Sequence, residues 1–245
     1  MTSVAEGDHD VVPSDTLAAL LLLRAQFPPT ASLPRLLLTS QLYNILADRT
    51  ATDRELARLA AAGAVRRFKL ATGRDEYAFM LASDYAAAVD AAGSAAERAA
   101  AASGAAFAAF KLSVLPECPG THVAATELTR LLAGPGGLGE EGAMAALSRL
   151  LNAGLIARAM EAGAHTYVFA APGAGPFQRA LQAARTTLRA ALRRRPRRQM
   201  VRSELEKSKL RGPLPLHFVL RDMLGSGVVE EVRLPGDALL RLAEG

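Results

Sequence analysis

Eleven basic side chains fall between Arg185 and Arg211, at Arg185, Arg189, Arg193, Arg194, Arg195, Arg197, Arg198, Arg202, Lys207, Lys209 and Arg211, against two carboxylates, Glu204 and Glu206. That segment carries +9, whereas the whole chain carries +5, so the remainder is mildly acidic. A guanidinium stays charged and offers a planar fork of donors that matches phosphate oxygens. A concentrated positive segment on an acidic body marks a localised polyanion site. The expected DNA-binding set is Arg193, Arg194, Arg195, Arg197, Arg198, Arg202, Lys207, Lys209 and Arg211. Two further readings apply to the run Arg193–Arg198: a solvated face with no partner, and a nuclear-import signal. Pro196 breaks the helix inside the run, which leaves the arginines on a bent connector able to follow a phosphate backbone.

The other reactive side chains offer less. Gly134, Gly136 and Gly139 fit a G-x-G-x-x-G pattern. A helix precedes them, whereas a dinucleotide-binding loop follows a strand, so the pattern reads as an inter-helix loop. A kinase needs a strand lysine, a catalytic-loop aspartate and a metal-binding Asp-Phe-Gly, and the sequence supplies none of these. His9, His122, His165 and His217 share no ligand spacing with Cys118, the single cysteine, so neither a metal site nor a cofactor is expected. Cys118 reads as a small buried or half-buried thiol and cannot form an intramolecular disulfide. The chain is therefore expected not to be an enzyme.

Three stretches that must position the basic segment repeat one pattern: apolar-periodic helix, glycine, strand, turn, strand. The first runs from Leu56 through Gly63 to Leu81, the second from Leu147 through Gly154 and Gly163 to Ala170, the third from Phe218 through Gly225 and Gly227 to Leu242. Helix, glycine C-cap and hairpin form the back half of a winged helix. The expectation is an α-rich α+β protein of three tandem winged-helix domains, each a small helix bundle with a C-terminal β-hairpin wing. The expected boundaries are 1–14 for a disordered tail, then 15–82, 83–172 and 173–245.

Within these units the sequence predicts helices at Asp15–Phe27, from Leu33 through Leu46, and from a Thr50 or Thr52 cap, with Glu55 closing a capping box, to Gly63. An alanine-rich helix spans Ser83–Phe110. Others run from Thr121 to Leu132, from Glu140 to Ala153, and from Phe177, whose apolar face continues through Leu181, Ala184, Leu188 and Leu192. The last runs from Leu214 to Leu224. The helices placed to read a groove are poorly charged for it. Asp53 and Glu55 offset Arg54 and Arg58, Glu140 and Glu141 open the second, and the third offers His217 and Arg221 beside Asp222. The composition thus favours sequence-independent contact with duplex DNA, or protein binding by some units. No apolar run approaches the roughly 20 residues of a membrane helix, and the early acidic residues do not suit a secretory or transit signal.

One set of blocks is more specific than any single motif. It comprises Leu38 to Tyr43, Asp48 to Thr50, Asp53 to Leu56, Phe110 to Cys118, Asn152 to Leu155, Pro172 to Gly175 with Phe177, and Ser203 to Leu205. Over about residues 15–245 the chain resembles the serine/threonine-protein kinase 19 family. The resemblance implies a nuclear protein of three winged-helix domains that lacks the kinase fold and binds double-stranded DNA. It also implies an adaptor role in transcription-coupled nucleotide excision repair, beside proteins of the stalled RNA polymerase II repair complex. A monomer is expected. The chain departs from animal relatives in lacking a basic N-terminal extension, which leaves nuclear import to Arg193–Arg198, and in its alanine-rich Ala86–Ala109 stretch. The alternatives are a protein–protein adaptor without direct DNA binding, and an active serine/threonine kinase.

Overall fold

The computed structural model describes residues 13–27, 33–73, 76–100, 104–134, 137–159, 165–208 and 212–243. Most of the expected N-terminal tail, the turn at Gly163, and Lys209 and Arg211 lie outside the described residues. The chain is helix-rich, with three small antiparallel sheets of three strands each.

The first group of elements is α1 (Asp15–Gln26), β1 (Leu37–Leu38), α2 (Thr39–Ile45), α3 (Arg49–Ala61), β2 (Val65–Lys69) and β3 (Tyr77–Leu81). Ser14 caps α1 by accepting from the Leu17 amide, which satisfies one of the donors a helix start leaves free. The α3 cap is Asp48, whose carboxylate accepts from the Ala51 amide at 2.9 Å. Neither expected threonine serves. Thr52 lies inside the helix and donates back to the Asp48 carbonyl. Gly63, at φ 72°, turns the chain out of α3 into the hairpin, a conformation that costs other residues about 1–2 kcal/mol.

The second group is α4 (Ala82–Ala100), α5 (Ala105–Ala109) with a wider π-helical turn at Phe110–Val114, β4 (His122–Ala124), α6 (Ala125–Ala133), α7 (Gly139–Asn152), β5 (Ile156–Arg158) and β6 (Thr166–Phe169). The third is α8 (Ala174–Arg193), a short 3₁₀ turn at Pro196–Arg198, β7 (Gln199–Val201), α9 (Arg202–Lys207), α10 (Leu216–Gly225), β8 (Val229–Leu234) and β9 (Asp237–Leu242).

In each sheet the last strand lies in the middle: the orders are β1-β3-β2, β4-β6-β5 and β7-β9-β8. The short first strand of each sheet is a departure from expectation. Leu37 and Leu38 do not begin a helix. They pair with Phe79 and Ala78 of β3, so α2 starts only at Thr39. His122–Ala124 likewise pairs with β6 before α6 begins.

The three groups share their packing. A continuous core runs from Phe68, Met80 and Tyr85 through Phe110, Leu128, Leu150 and Phe169 to Phe177, Leu181, Phe218 and Leu240, all buried. A smaller core holds Leu20, Leu42, Leu56 and Val65 under α1 and α3. Phe218 meets Phe27 and Phe177 edge-on, with ring centroids at 5.6 and 6.1 Å, an arrangement that aligns ring edges with ring faces. Helix α10 crosses α2 directly. Gln41, fully buried, accepts from the Leu38 amide through Oε1 and donates from Nε2 to the Phe218 carbonyl, both at 3.0 Å. Its amide is thereby paired at both ends, as a buried polar group requires.

Candidate nucleic-acid interface

The arginine run sits between two buried anchors. Leu192, at the end of α8, is fully buried, and Met200 in β7 is 5% exposed. Between them Arg193, Arg194, Arg195, Arg197 and Arg198 are all exposed. The intervening turn is tight. The Arg195 amide donates to the Leu192 carbonyl and the Arg198 amide to the Arg195 carbonyl, each at 3.0 Å. Arg197 and Arg198 have φ of 56° and 54°, the only positive values at non-glycine positions among the described residues. Side chains rarely adopt that conformation, and it persists only where flanking structure imposes it. Here a proline, a helix end and a paired strand do so.

The nine expected contact residues divide into three sets. Arg195 pairs with Glu204, while Arg202 bonds Glu206 at 3.1 Å and Glu231 at 3.0 Å. Arg193, Arg194, Arg197, Arg198 and Lys207 make no ion pair among the described residues. Lys209 and Arg211 lie outside the described residues.

Arg185, part of the same basic span, turns inward. Its Nε and Nη2 donate to the two carboxylate oxygens of Asp222 at 2.7 and 2.8 Å, and Nη1 donates to Glu76 at 3.1 Å. Ser40 donates to Asp222 at 2.6 Å, and Thr72 donates to Glu76 at 2.5 Å. Burial would raise the Glu76 carboxyl, but Arg185 and Thr72 outweigh it and hold the group below its ordinary value. Burial likewise opposes the Arg185 charge, and the two carboxylates more than offset it.

One turn further along α8, Arg189 is exposed beside an 820 Å³ cleft between α3, the β2–β3 hairpin, α8 and the end of α10. Arg49 and Arg67 also line it, each held over a tyrosine ring at 5.0 Å, on Tyr43 and Tyr77. The sequence does not single out Arg49 and Arg67 as contact residues, because both lie outside the basic segment. Their common placement follows only from the docking of α8 and α10 on the first group.

The third helices differ sharply in availability. On α3, Arg54 and Arg58 are exposed. Asp53 is engaged by the Tyr43 hydroxyl at 2.6 Å, and Arg58, with Ser14, holds the Glu55 carboxyl down to about 2. On α7, Glu140 and Glu141 are exposed in the first turn, where they complement the helix dipole. On α10, His217 is exposed, but Arg221 is half-buried with Nη1 enclosed and unpaired, and Asp222 is fully buried. Its apolar face, Phe218, Val219, Leu220 and Met223, is buried too. Helix α10 is thus largely a packing element: of its two expected exposed candidates, His217 faces solvent and Arg221 does not.

Cys118 is half-buried, and burial raises its thiol. No group of three metal-ligating side chains occurs among the described residues, and no described helix is long and apolar enough to cross a membrane.

Small antiparallel sheets of three strands on a helical body are the arrangement of a winged-helix protein. Residues 12–235 match the family described as inactive serine-threonine protein kinase 19, and the chain belongs to that family. It is 28% identical over 237 residues to winged helix repair factor 1 of Homo sapiens, covering 95% of this chain and 87% of that one. It is also 28% identical over 215 residues to winged helix repair factor 1 of Mus musculus, covering 87% and 78%.

Proposed function

We propose that this protein binds double-stranded DNA, largely without regard to sequence, and bridges it to proteins of the stalled RNA polymerase II complex during transcription-coupled nucleotide excision repair in the nucleus. On this reading residues 15–82, 83–172 and 173–245 are three winged-helix domains, each with its last two strands as the wing. The observation that carries the proposal is the exposed turn Arg193–Arg198, anchored by Leu192 and Met200 and set in a backbone conformation that side chains rarely adopt. Arg193, Arg194, Arg197, Arg198 and Lys207 supply phosphate contacts, with Arg195 and Arg202 available by exchange of carboxylate for phosphate. Lys209 and Arg211 extend the set. Contacts of this kind position a protein on the backbone without reading bases, and burial of the third unit's α10 fits that mode.

The test is titration of the full chain with duplexes of unrelated sequence at several salt concentrations. Neutralising about five phosphates gives a slope of log affinity on log salt of roughly −4 to −5. A slope near zero, or affinity confined to one sequence, sinks the proposal. A second reading, an adaptor that binds only protein, is favoured by Glu140 and Glu141 at the exposed start of α7; it predicts no duplex binding at any salt. Neither reading includes phosphoryl transfer, and calorimetry with Mg-ATP yields no saturable heat under either.

A further inference from the structure

The cleft between α3, the β2–β3 hairpin, α8 and the end of α10 is lined by four arginines, Arg49, Arg67, Arg185 and Arg189, against two carboxylates, Asp53 and Glu76. Both carboxylates are engaged within the protein. Asp53 accepts from the Tyr43 hydroxyl at 2.6 Å, and Glu76 accepts from Arg185 and Thr72. Arg185 is taken up by Glu76 and Asp222. The other three arginines make no ion pair among the described residues, and the side chains of Arg67 and Arg189 make no hydrogen bond among them. Arg49 is steadied by donating from Nη2 to the Gly225 carbonyl at 3.2 Å. Arg49 and Arg189 are exposed, and Arg67, Tyr43 and Tyr77 are half-buried, so a ligand in the cleft reaches all five. Three cations without counter-ions along one cleft attract a polyanion.

Two details select the kind of polyanion. Arg49 lies over the Tyr43 ring and Arg67 over the Tyr77 ring, each with its guanidinium carbon 5.0 Å from the centroid. Arginine planes and aromatic rings are the platforms on which unpaired bases stack. In a duplex each base face is already covered by the neighbouring pair, so such platforms serve a single strand. A phosphorylated peptide uses the charges and leaves the platforms idle. The second detail is continuity. Arg189 precedes Arg193 by one turn of α8, about 6 Å along the same flank, and both are exposed. The cleft therefore opens beside the arginine turn.

We infer that this cleft holds a few nucleotides of unpaired nucleic acid, with Arg189 on phosphate and bases stacked against the Arg49–Tyr43 and Arg67–Tyr77 pairs. The preferred ligand is then a junction, in which a duplex lies on the arginine turn and one unpaired strand continues into the cleft. The duplex half of that ligand rests on the function proposed above, and the test separates the two halves.

The full chain is titrated by fluorescence anisotropy with a blunt duplex, with the same duplex carrying an overhang of about six thymidines, and with that overhang made abasic. The thymidine overhang tightens wild-type binding by at least about tenfold over the blunt duplex, the effect of one or two stacked bases. The abasic overhang recovers only a minor part of that gain. A ribo-uridine overhang is run beside them: a gain from either sugar supports the site, and the larger gain tells DNA from RNA. Arg67→Gln with Arg189→Gln binds the blunt duplex as wild type does and loses the overhang gain. Its melting midpoint stays within about two degrees of wild type, since neither side chain holds an internal hydrogen bond. If no duplex binds at any salt, yet an isolated thymidine strand binds wild type and not the double variant, the duplex reading of the turn fails and the cleft stands. An overhang that adds nothing in wild type overturns the assignment, as does an abasic overhang with the full gain or a gain that survives in the double variant. A phosphoserine peptide that binds wild type but not the double variant, where the overhang adds nothing, gives the cleft to a phosphoprotein instead.

Discussion

Gly225 lies so close to Ser40 that a β-carbon on it would stand 1.6 Å from the Ser40 carbonyl oxygen. The crossing of α10 over α2 is therefore backbone against backbone, and only a residue without a side chain allows it. Gly225→Ala forces the helices apart around Gln41 and Phe218. The expected loss is about 3 kcal/mol or more, at the upper end for overpacking, measured by denaturant unfolding. Gly63→Ala is the control. Nothing lies within 4 Å of that position, which carries φ +72°, so only the backbone term of about 1–2 kcal/mol applies. Equal losses at the two sites would show that the crossing is loose.

Acid should weaken the ion pairs that Arg185 and Arg24 hold. Glu76 and Asp84 both lie below their ordinary values in the folded chain, the first through Arg185 and Thr72 against burial, the second chiefly through its bond from Arg24. A carboxylate depressed on folding stabilises above its unfolded pKa, and the contribution disappears as pH falls through the folded value. Unfolded values are about 4.3 for Glu and 3.9 for Asp. Stability is thus expected to be flat from neutrality down to about pH 5 and to fall below about pH 4. Arg185→Met leaves Glu76 and the fully buried Asp222 without their cation. It should cost about 3–5 kcal/mol near neutrality and proportionally less in acid. A cost independent of pH would assign the loss to packing.

Replacing Arg193, Arg194, Arg197 and Arg198 together with glutamate removes the four arginines of the turn that make no ion pair among the described residues. Duplex affinity should fall by at least about a hundredfold at low salt, and the salt slope should shrink by about four. The melting midpoint should stay within a degree or two, because exposed side chains contribute little to stability. Unchanged affinity would remove the turn from the interface.

Glu140→Gln with Glu141→Gln tests the second unit. Each carboxylate repels phosphate over roughly 8 Å at physiological salt. If α7 faces protein or solvent, duplex affinity stays the same or rises slightly. A loss confined to particular sequences across a duplex library would mean that the glutamates accept from cytosine in the major groove, and would restore a reading role to α7.

The hairpins were legible because each is announced locally: a glycine closes a helix, and a strand with apolar residues follows at once, as in Gly63 with Val65, Phe68 and Leu70. The opening strands were not. Leu37–Leu38 is two residues long, and its partner Phe79 comes after two intervening helices. Nothing local separates such a pair from a helix start. The cap of α3 was misplaced for a related reason. Threonine and aspartate both cap well, and only the extended backbone at Asp48 decides between them. At the candidate site the exposed arginines were visible as composition, whereas the inward turn of Arg185 was not. It depends on Asp222 and Glu76, brought from two distant parts of the chain.

The bond from Gln41 to the Phe218 carbonyl spans 177 positions of sequence. During synthesis at about 5–20 residues per second, α2 therefore waits roughly ten to thirty-five seconds for the helix that covers it. The first unit leaves the ribosome early yet is covered late, and a nascent chain that stops before α10 carries an uncovered flank open to a chaperone or a protease.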